Sequence, residues 1–512
     1  MVNVIDNMVK KGASIRKTLE IRRNHPLNLQ RVALQELLST AQNTAFGKEY
    51  QFKEILSLFH KRSSSGFYEK FTEHVPIHDY NKIYDHWWCK AKEGKEDICW
   101  PGKIKYFALS SGTSGAASKY IPITKQMLKS VRKTSIKQIF TLHRYDLPIE
   151  LFNKKILMLG GSTDLQKHNF YYEGDLSGIT TSKIPLWLQH HYKPGRKIAK
   201  TKDWHDKLNE ITEKAPKWDI GVIVGVPAWL QILMEKIVER YQVKTIHDIW
   251  PNLSIFVHGG VPFEPYKKGF EKLLAKDLVY IETYLASEGF LAFQAYPNRK
   301  SMKLVLNNGI FFEFIPFNQD NFNEDGEVHE NPQTLNIGQI EEGKEYALLI
   351  STNAGIWRYL IGDVVRIVDK STSEIVITGR TKHFISLCGE HLSSDNMNKA
   401  IELTEKALNV DIREFTVIGE SYETLFAHRW YVGTKDAVAP EVLQQHLDQY
   451  LMELNDDYRV ERAAALKEIT VQVLPSSMFY SWMEKHSKIG GQSKFPRVLK
   501  GEKAEAWKAY IK

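Results

Sequence analysis

The run Ser110-Ser111-Gly112-Thr113-Ser114-Gly115-Ala116-Ala117-Ser118-Lys119 concentrates hydroxyls and glycines ahead of a lysine. Glycine leaves backbone N–H groups open to an anion, Ser and Thr hydroxyls can turn a donor toward phosphate oxygens, and one ammonium meets the remaining charge. The chemistry this suits is the cradling of a polyphosphate. Taken alone, a Ser/Gly-rich run suits a flexible surface loop equally well. A P-loop is excluded, because its lysine follows a glycine and precedes Ser or Thr, whereas Ser118 and Tyr120 flank Lys119.

The elements around this run must present it. Tyr106-Phe107-Ala108-Leu109 predicts a buried strand whose end releases the loop. Beyond it, short apolar runs such as Ile156 to Leu159, Ile220 to Val224, Ile255 to Val257 and Tyr346 to Ile350 alternate with helical patterns such as Trp229 to Tyr241. That alternation predicts an α/β fold with a largely parallel buried sheet, whose ligands gather at the strand ends. His258-Gly259-Gly260 and Gly160-Gly161-Ser162-Thr163 stand at such ends, as does Gly225-Val226-Pro227-Ala228-Trp229. Gly259 and Gly260 can admit a ligand close to the backbone. His258 reads as a packed histidine and the other two segments as candidate walls of a substrate pocket.

After the β-rich runs Val364–Val368 and Glu374–Thr378, the pattern changes at Arg380. A helix near Ser394 to Leu408, strands near Glu414 to Gly419 and Phe426 to Val432, a helix near Pro440 to Leu454 and a strand near Ile469 to Val473 follow. The predicted division is residues 1–380 as a large N-terminal α/β domain with mostly parallel sheets, and 381–512 as a smaller, mobile C-terminal α+β domain.

The 512 residues suffice for more than one core, and 43% hydrophobic with 25% charged residues describes a globular chain. A net charge of +8 is modest and fits anionic small molecules, while no nucleic-acid-binding motif organises the basic residues. The three cysteines form no CxxC pair and no metal-ligand spacing. Met1 to Lys11 lacks the h-region of a signal peptide and no run reaches a membrane span's length, so a cytoplasmic location is expected.

Three further segments, Tyr284-Leu285-Ala286-Ser287-Glu288-Gly289, Trp357-Arg358-Tyr359-Leu360-Ile361-Gly362-Asp363 and Gly490-Gly491-Gln492-Ser493-Lys494-Phe495-Pro496-Arg497, follow the first in order. In this order and spacing the chain resembles the adenylate-forming superfamily, and within it the acyl-acid amido synthetases known in plants as auxin-responsive proteins. Thr44-Ala45-Phe46-Gly47, Trp100 to Phe107 and Gly174 to Gly178 extend the resemblance over nearly the whole chain.

The resemblance implies roles. Ser110, Ser111, Thr113 and Lys119 would hold the β- and γ-phosphates of ATP, Gly259 and Gly260 would lie against the adenine or acyl-adenylate, and Tyr284 would pack beside adenine. Ser287 would donate near the α-phosphate and Glu288 would help hold Mg²⁺. Asp363 would accept both ribose hydroxyls, with Arg380 reinforcing it. Lys494 would be the mobile lysine that stabilises charge as a carboxylate oxygen attacks the α-phosphorus, with Lys488 and Lys500 as alternatives, since Ser493 stands where many relatives carry glycine.

The implied activity is activation of a small-molecule carboxylic acid as acyl-AMP by ATP and Mg²⁺, then transfer to an amine, expected to be an amino acid. Coenzyme A as acceptor is one alternative, and a non-catalytic nucleotide- or acyl-binding sensor is another. A rotation about Thr381, Lys382 and His383 is expected to separate the two half-reactions.

Overall fold

The structure is a computed structural model and describes residues 25–59, 65–110, 119–145, 147–184, 189–260, 263, 266–323, 326–381, 384–390, 392–423, 425–486 and 495–512. Its backbone is a sheet of eleven strands. Across the sheet the order is Ile310–Pro316, Glu345–Thr352, Ile356–Asp369, Glu374–Arg380, Met302–Leu304, Gly289–Phe293, Val279–Ala286, Ile255–Gly259, Ile220–Gly225, Lys155–Met158 and Tyr192–Lys193.

The α/β class expected from the sequence is present, but the sheet is not mostly parallel. Parallel pairing joins only the strands from Val279–Ala286 across to Tyr192–Lys193. The other half pairs antiparallel throughout. The physical reason lies in burial on both faces. Ile310–Pro316 is buried at every position but its last, and Glu345–Thr352 at every position but its first. Such strands lose the polar alternation that marks a half-exposed antiparallel sheet and read as continuous apolar runs.

Packing follows from the same patterns. The helix Pro26–Ala41 has Pro at its start and buries Ala33, Leu34, Leu37, Leu38 and Ala41, a stripe at helical spacing. Gln30 fixes it to the sheet edge: its amide donates to Leu306 O (2.8 Å) and Ile310 O (2.9 Å) and accepts from Phe312 N (2.7 Å). One apolar cluster unites these N-terminal helices with the antiparallel half of the sheet.

A second sheet has the order Lys119–Ile123, Tyr106–Ser110, Tyr172–Gly174, Gln166–Lys167. Its first pair is a hairpin in which Ser110 faces Lys119, so the Ser/Gly run joins two antiparallel strands. A P-loop instead joins a strand to a helix, and the topology agrees with its exclusion on sequence grounds.

Beyond Arg380, a short hairpin of Phe384–Ile385 and Leu392–Ser393 leads into the helix Ser394–Leu408, whose Ser393 and Asn396 form a capping box. The last sheet, Leu466–Leu474, Leu425–Thr434, Ile412–Tyr422 and Val498–Leu499, draws only on C-terminal residues. Its apolar cluster is shared: Phe415, Trp430 and Leu466 belong with Leu157, Phe256 and Tyr266. Tyr266 stacks edge-on against Phe426 at 5.1 Å and donates to Leu387 O at 3.2 Å. No helix among the described residues is long and apolar enough to cross a membrane.

Candidate active site

Asp363 and Arg380 are brought together by sheet register. They are direct partners on the neighbouring strands Ile356–Asp369 and Glu374–Arg380, and the Arg380 Nη1 lies 3.2 Å from Asp363 Oδ1. The preceding residue, Gly362, has φ +89, and its carbonyl accepts the Thr381 N–H at 2.9 Å while Arg380 Nη2 donates to Ile361 O at 3.2 Å. A Cβ at position 362 would sit at ordinary contact distance from that guanidinium, so it is the positive φ inside the strand that favours glycine there.

Tyr284 reaches the same carboxylate from another strand. Its hydroxyl donates to Asp363 Oδ2. Burial, followed by the Asp363 charge, pushes the phenol's pKa far above its ordinary value and keeps it a donor. The Tyr284 ring is almost fully buried in the N-terminal apolar cluster.

Ser287 and Glu288 form the two-residue turn that joins the antiparallel strands Val279–Ala286 and Gly289–Phe293. Ser287 is half-buried; Glu288 is buried. Burial raises the Glu288 pKa, and Lys119 is the foremost charge pulling it back, with Asp363 raising and Arg380 lowering it further. Four chain-distant segments therefore meet around one set of opposed charges. Lys119 begins its strand with its ammonium 5.5 Å above the Tyr80 ring, and the Tyr80 hydroxyl accepts the Tyr120 N–H at 2.8 Å.

Gly259 and Gly260 close the next strand of the sheet. A Cβ on Gly259 would overlap the Thr283 carbonyl oxygen, and Gly260 has φ +86. Thr283 Oγ1 donates to His258 O at 2.9 Å, fastening this turn to the strand that carries Tyr284. His258 itself is buried beside Phe256 and Phe263, and burial lowers its pKa to about 4. It is a neutral packed histidine, in line with the sequence expectation.

Ser110 ends its strand at the mouth of the loop. Ser111, Thr113 and Lys494 lie outside the described residues, as do Lys488, Lys382 and His383. Lys500 is described: it stands just before the helix Gly501–Tyr510 without a side-chain capping bond, and burial lowers its pKa against the pull of Glu390.

Two residues near this site receive no role from the sequence, although Tyr359 lies within the segment Trp357 to Asp363. Tyr359 is buried and exchanges charge effects with Glu288 and Arg380, although it reads as one more core aromatic. Glu282, the register partner of His258, has its pKa raised to about 6 by burial. Alternation along the strand Val279–Ala286 gave no reason to single it out.

No group of three or more His, Cys, Asp or Glu side chains disposed to hold a metal ion occurs among the described residues. One buried hard carboxylate, Glu288, nevertheless fits Mg²⁺, which is held by one or two carboxylates together with waters and substrate phosphates.

Comparison with known proteins bears on this arrangement. The chain matches the GH3 family N-terminal domain over residues 15–167 and 162–279, the GH3 family central domain over 303–380 and the GH3 family C-terminal domain over 395–503. Among relatives, the indole-3-acetic acid-amido synthetase GH3.4 of Arabidopsis thaliana is 25% identical over 281 residues, covering 50% of this chain and 45% of that protein. The jasmonoyl–L-amino acid synthetase GH3.5 of Oryza sativa subsp. japonica is 27% identical over 186 residues, covering 33% and 31%. The matched part thus spans about half or less of these curated relatives' length. Among solved structures, the GH3.15 acyl acid amido synthetase superposes with a TM-score of 0.58 at 17% identity, covering 96% of this chain and 95% of that one. A 2-hydroxyisobutyryl-CoA ligase does so with a TM-score of 0.57 at 10% identity, covering 95% and 92%. These last two likenesses show a shared fold over nearly the whole chain. Matched in order by its N-terminal, central and C-terminal domains, the chain belongs to the GH3 family.

Proposed function

We propose that this protein is an ATP-dependent ligase that converts a carboxylic acid to acyl-AMP with release of pyrophosphate, then passes the acyl group to the amine of an amino acid. The observation that carries this reading is the Asp363 carboxylate, fixed by the Tyr284 hydroxyl and Arg380 and set among the charges of Glu288 and Lys119. A carboxylate so held suits a ribose diol, and a nearby ammonium and buried acid suit a metal-bound polyphosphate.

In the first half-reaction an oxygen of the substrate carboxylate bonds to the α-phosphorus and the bond to pyrophosphate breaks. In the second, the amine nitrogen attacks the acyl carbon, AMP leaves, and the amine gives up a proton. Bound Mg²⁺, with Glu288 as its protein ligand, supplies charge neutralisation. Lys119 and the Ser110 to Thr113 donors orient the triphosphate, Asp363 fixes the ribose, and the Gly259-Gly260 backbone leaves room for the adenylate. Lys494 is the proposed cation for the charge that grows at the α-phosphate.

The proposal extends to domain movement. Residues 381–512 act as a unit that turns about Thr381, Lys382 and His383 between the half-reactions, re-forming the contacts of Tyr266 with Leu387 and Phe426 at each cycle.

The test is pyrophosphate release with Mg²⁺ and ATP across aromatic and aliphatic acids, with and without mixed amino acids or coenzyme A. Acid-dependent release stimulated by amino acids, with an amide as product, is expected. Stimulation by coenzyme A alone would replace the acceptor, and release that no acid increases would overturn the reading.

A further inference from the structure

A cavity of about 320 Å³ opens at the parallel edge of the large sheet, where the chain leaves the strand Lys155–Met158. That size is within the range of small-molecule sites. Gly160 and Gly161 make one wall, the end of the helix Leu176–Ser182 another, and the segment from Tyr192 to Ala199 the third. A Cβ on Gly161 would overlap the Asp175 carboxylate, so that wall is thin because nothing larger than glycine fits between Asp175 and the cavity.

The cavity has an apolar side, made by Met158, Leu159 and Ile184, and a cationic side, made by Lys193, Arg196 and Lys207. No carboxylate lines it among the described residues. Lys207 is 2% exposed; its ammonium donates to Gly160 O at 3.1 Å and lies 4.9 Å from the centre of the Trp204 ring, which stacks on Trp229 at 4.2 Å. Lys193 lies 5.6 Å over the Trp218 ring, and Arg196 is exposed at the rim. None of the three is ion-paired with a carboxylate among the described residues. Burial lowers the Lys207 pKa to about 8 against the weaker pull of Asp175. A buried ammonium without an ion-pair partner is costly, and an anionic ligand group offsets that cost.

The position relative to the adenylate site follows from strand register. Gly225 pairs with His258, and Leu159 N donates to Val224 O at 2.9 Å, so Gly259, Gly225 and Gly160 stand on three successive strands at the same end of the sheet. Two strand spacings separate the first from the last, on the order of 10 Å. A Cβ on Gly225 would lie 2.7 Å from Leu159 O, so glycine there lets these two strand ends pack closely.

We propose that this cavity receives the far end of the acid activated at Gly259-Gly260 and selects acids that carry a second anionic group, a carboxylate on the order of 10 Å from the first. The inference rests on the adenylation reading for the role of the first carboxylate. The second is met by Arg196 and Lys193 at the rim and by Lys207 at the wall, while the connecting chain lies along Met158, Leu159 and Ile184.

The experiment uses the full chain with matched acids, nonanoate against azelate and cinnamate against its para-carboxy derivative. Calorimetric titration without ATP reads the cavity, and pyrophosphate release with ATP and Mg²⁺ reads adenylation. One charge-assisted contact predicts that each diacid binds at least ~10-fold tighter than its monoacid, and that Arg196→Gln or Lys193→Gln brings the ratio close to one. These rim substitutions bury nothing, so they keep the fold where Lys207→Met risks it. Diacid preference lost in the variants but without pyrophosphate release supports the cavity and refutes adenylation. Release at equal rates from monoacid and diacid, an unchanged ratio in the variants, or no binding by any of the four acids overturns the cavity assignment. So does a change confined to acidic amine acceptors, which would move the cavity to the second half-reaction.

Discussion

Replacing Asp363 by Asn tests the ribose assignment with little change in shape. A carboxylate offers about four lone-pair positions. Tyr284 occupies one on Oδ2 and Arg380 one on Oδ1 at 3.2 Å, leaving one on each oxygen for a vicinal diol. Each hydrogen bond to a charged acceptor is worth about 1.5–3 kcal/mol, so removing one ribose hydroxyl from the ligand costs about 2 kcal/mol, or ~30-fold in affinity. In the Asp363→Asn variant the new amide nitrogen cannot face the Arg380 guanidinium, since both are donors, and turns to Tyr284, whose hydroxyl reverses to accept it. One neutral oxygen then remains, already engaged by Arg380.

The wild-type protein is therefore expected to bind ATP ~30-fold more tightly than 2′-deoxy-ATP, and Asp363→Asn to weaken ATP by ~10²-fold while reducing that ratio to a few-fold. Calorimetry with Mg²⁺ and without acid makes the measurement, so the unknown acyl substrate does not enter. Thermal unfolding of both proteins shows whether the fold is retained. A variant that keeps the wild-type ratio of ATP to 2′-deoxy-ATP affinity would refute the assignment of Asp363 to the ribose, whatever its absolute affinity.

Further outcomes follow from groups on the same framework. Arg358 donates to both oxygens of the fully buried Glu313 and to Val75 O at 2.7 Å, so Arg358→Met strands a buried carboxylate and is expected to cost about 3–5 kcal/mol in urea unfolding, with Glu313→Leu added to it recovering most of the loss; a single substitution costing under ~1 kcal/mol would remove the pair from the stability argument. Burial disfavours the Glu390 charge, but His428 Nε2 at 2.9 Å and the Leu387 and Cys388 N–H groups outweigh it and lower its pKa from 4.5 to about 2. A carboxyl depressed in the folded state stabilises above its unfolded pKa and loses that contribution as pH falls through the folded one, so ~3 kcal/mol should disappear between about pH 4.5 and 2, and His428→Gln should flatten this part of the unfolding profile; an unchanged profile would count against the pair. Gly259→Ala sets a methyl against the Thr283 backbone carbonyl, which cannot rotate away, and is expected to cost about 1–3 kcal/mol of stability and to weaken ATP binding; full affinity would place the adenylate elsewhere.

What the sequence made readable depended on whether the signal was local. The helices Ser394–Leu408 and Pro440–Leu454 end where their patterns predict, because a capping box starts one, Pro opens the other and Leu443, Leu447 and Leu451 mark its inner face. Pairing direction in the sheet is not local. Glu345–Thr352 is covered on both faces by other segments, which gives antiparallel strands the composition of parallel ones. Even the charge inside Ile310–Pro316 offered no warning, because Glu313 is compensated by Arg358 at a distance of 45 residues.

The site divides the same way. Gly362-Asp363 and Arg380 were readable as motif residues, and their union required only that two consecutive strands pair in register. Tyr284 stands 79 residues from Asp363, and its hydroxyl makes sense only once the sheet order sets the two strands toward a common end. A motif records which residue types a reaction needs, while the sheet decides which of their atoms are already engaged before a substrate arrives. Two of the Asp363 lone pairs are engaged in this way, and that pre-organisation turns one carboxylate inside a strand into a receptor with room for two further donors.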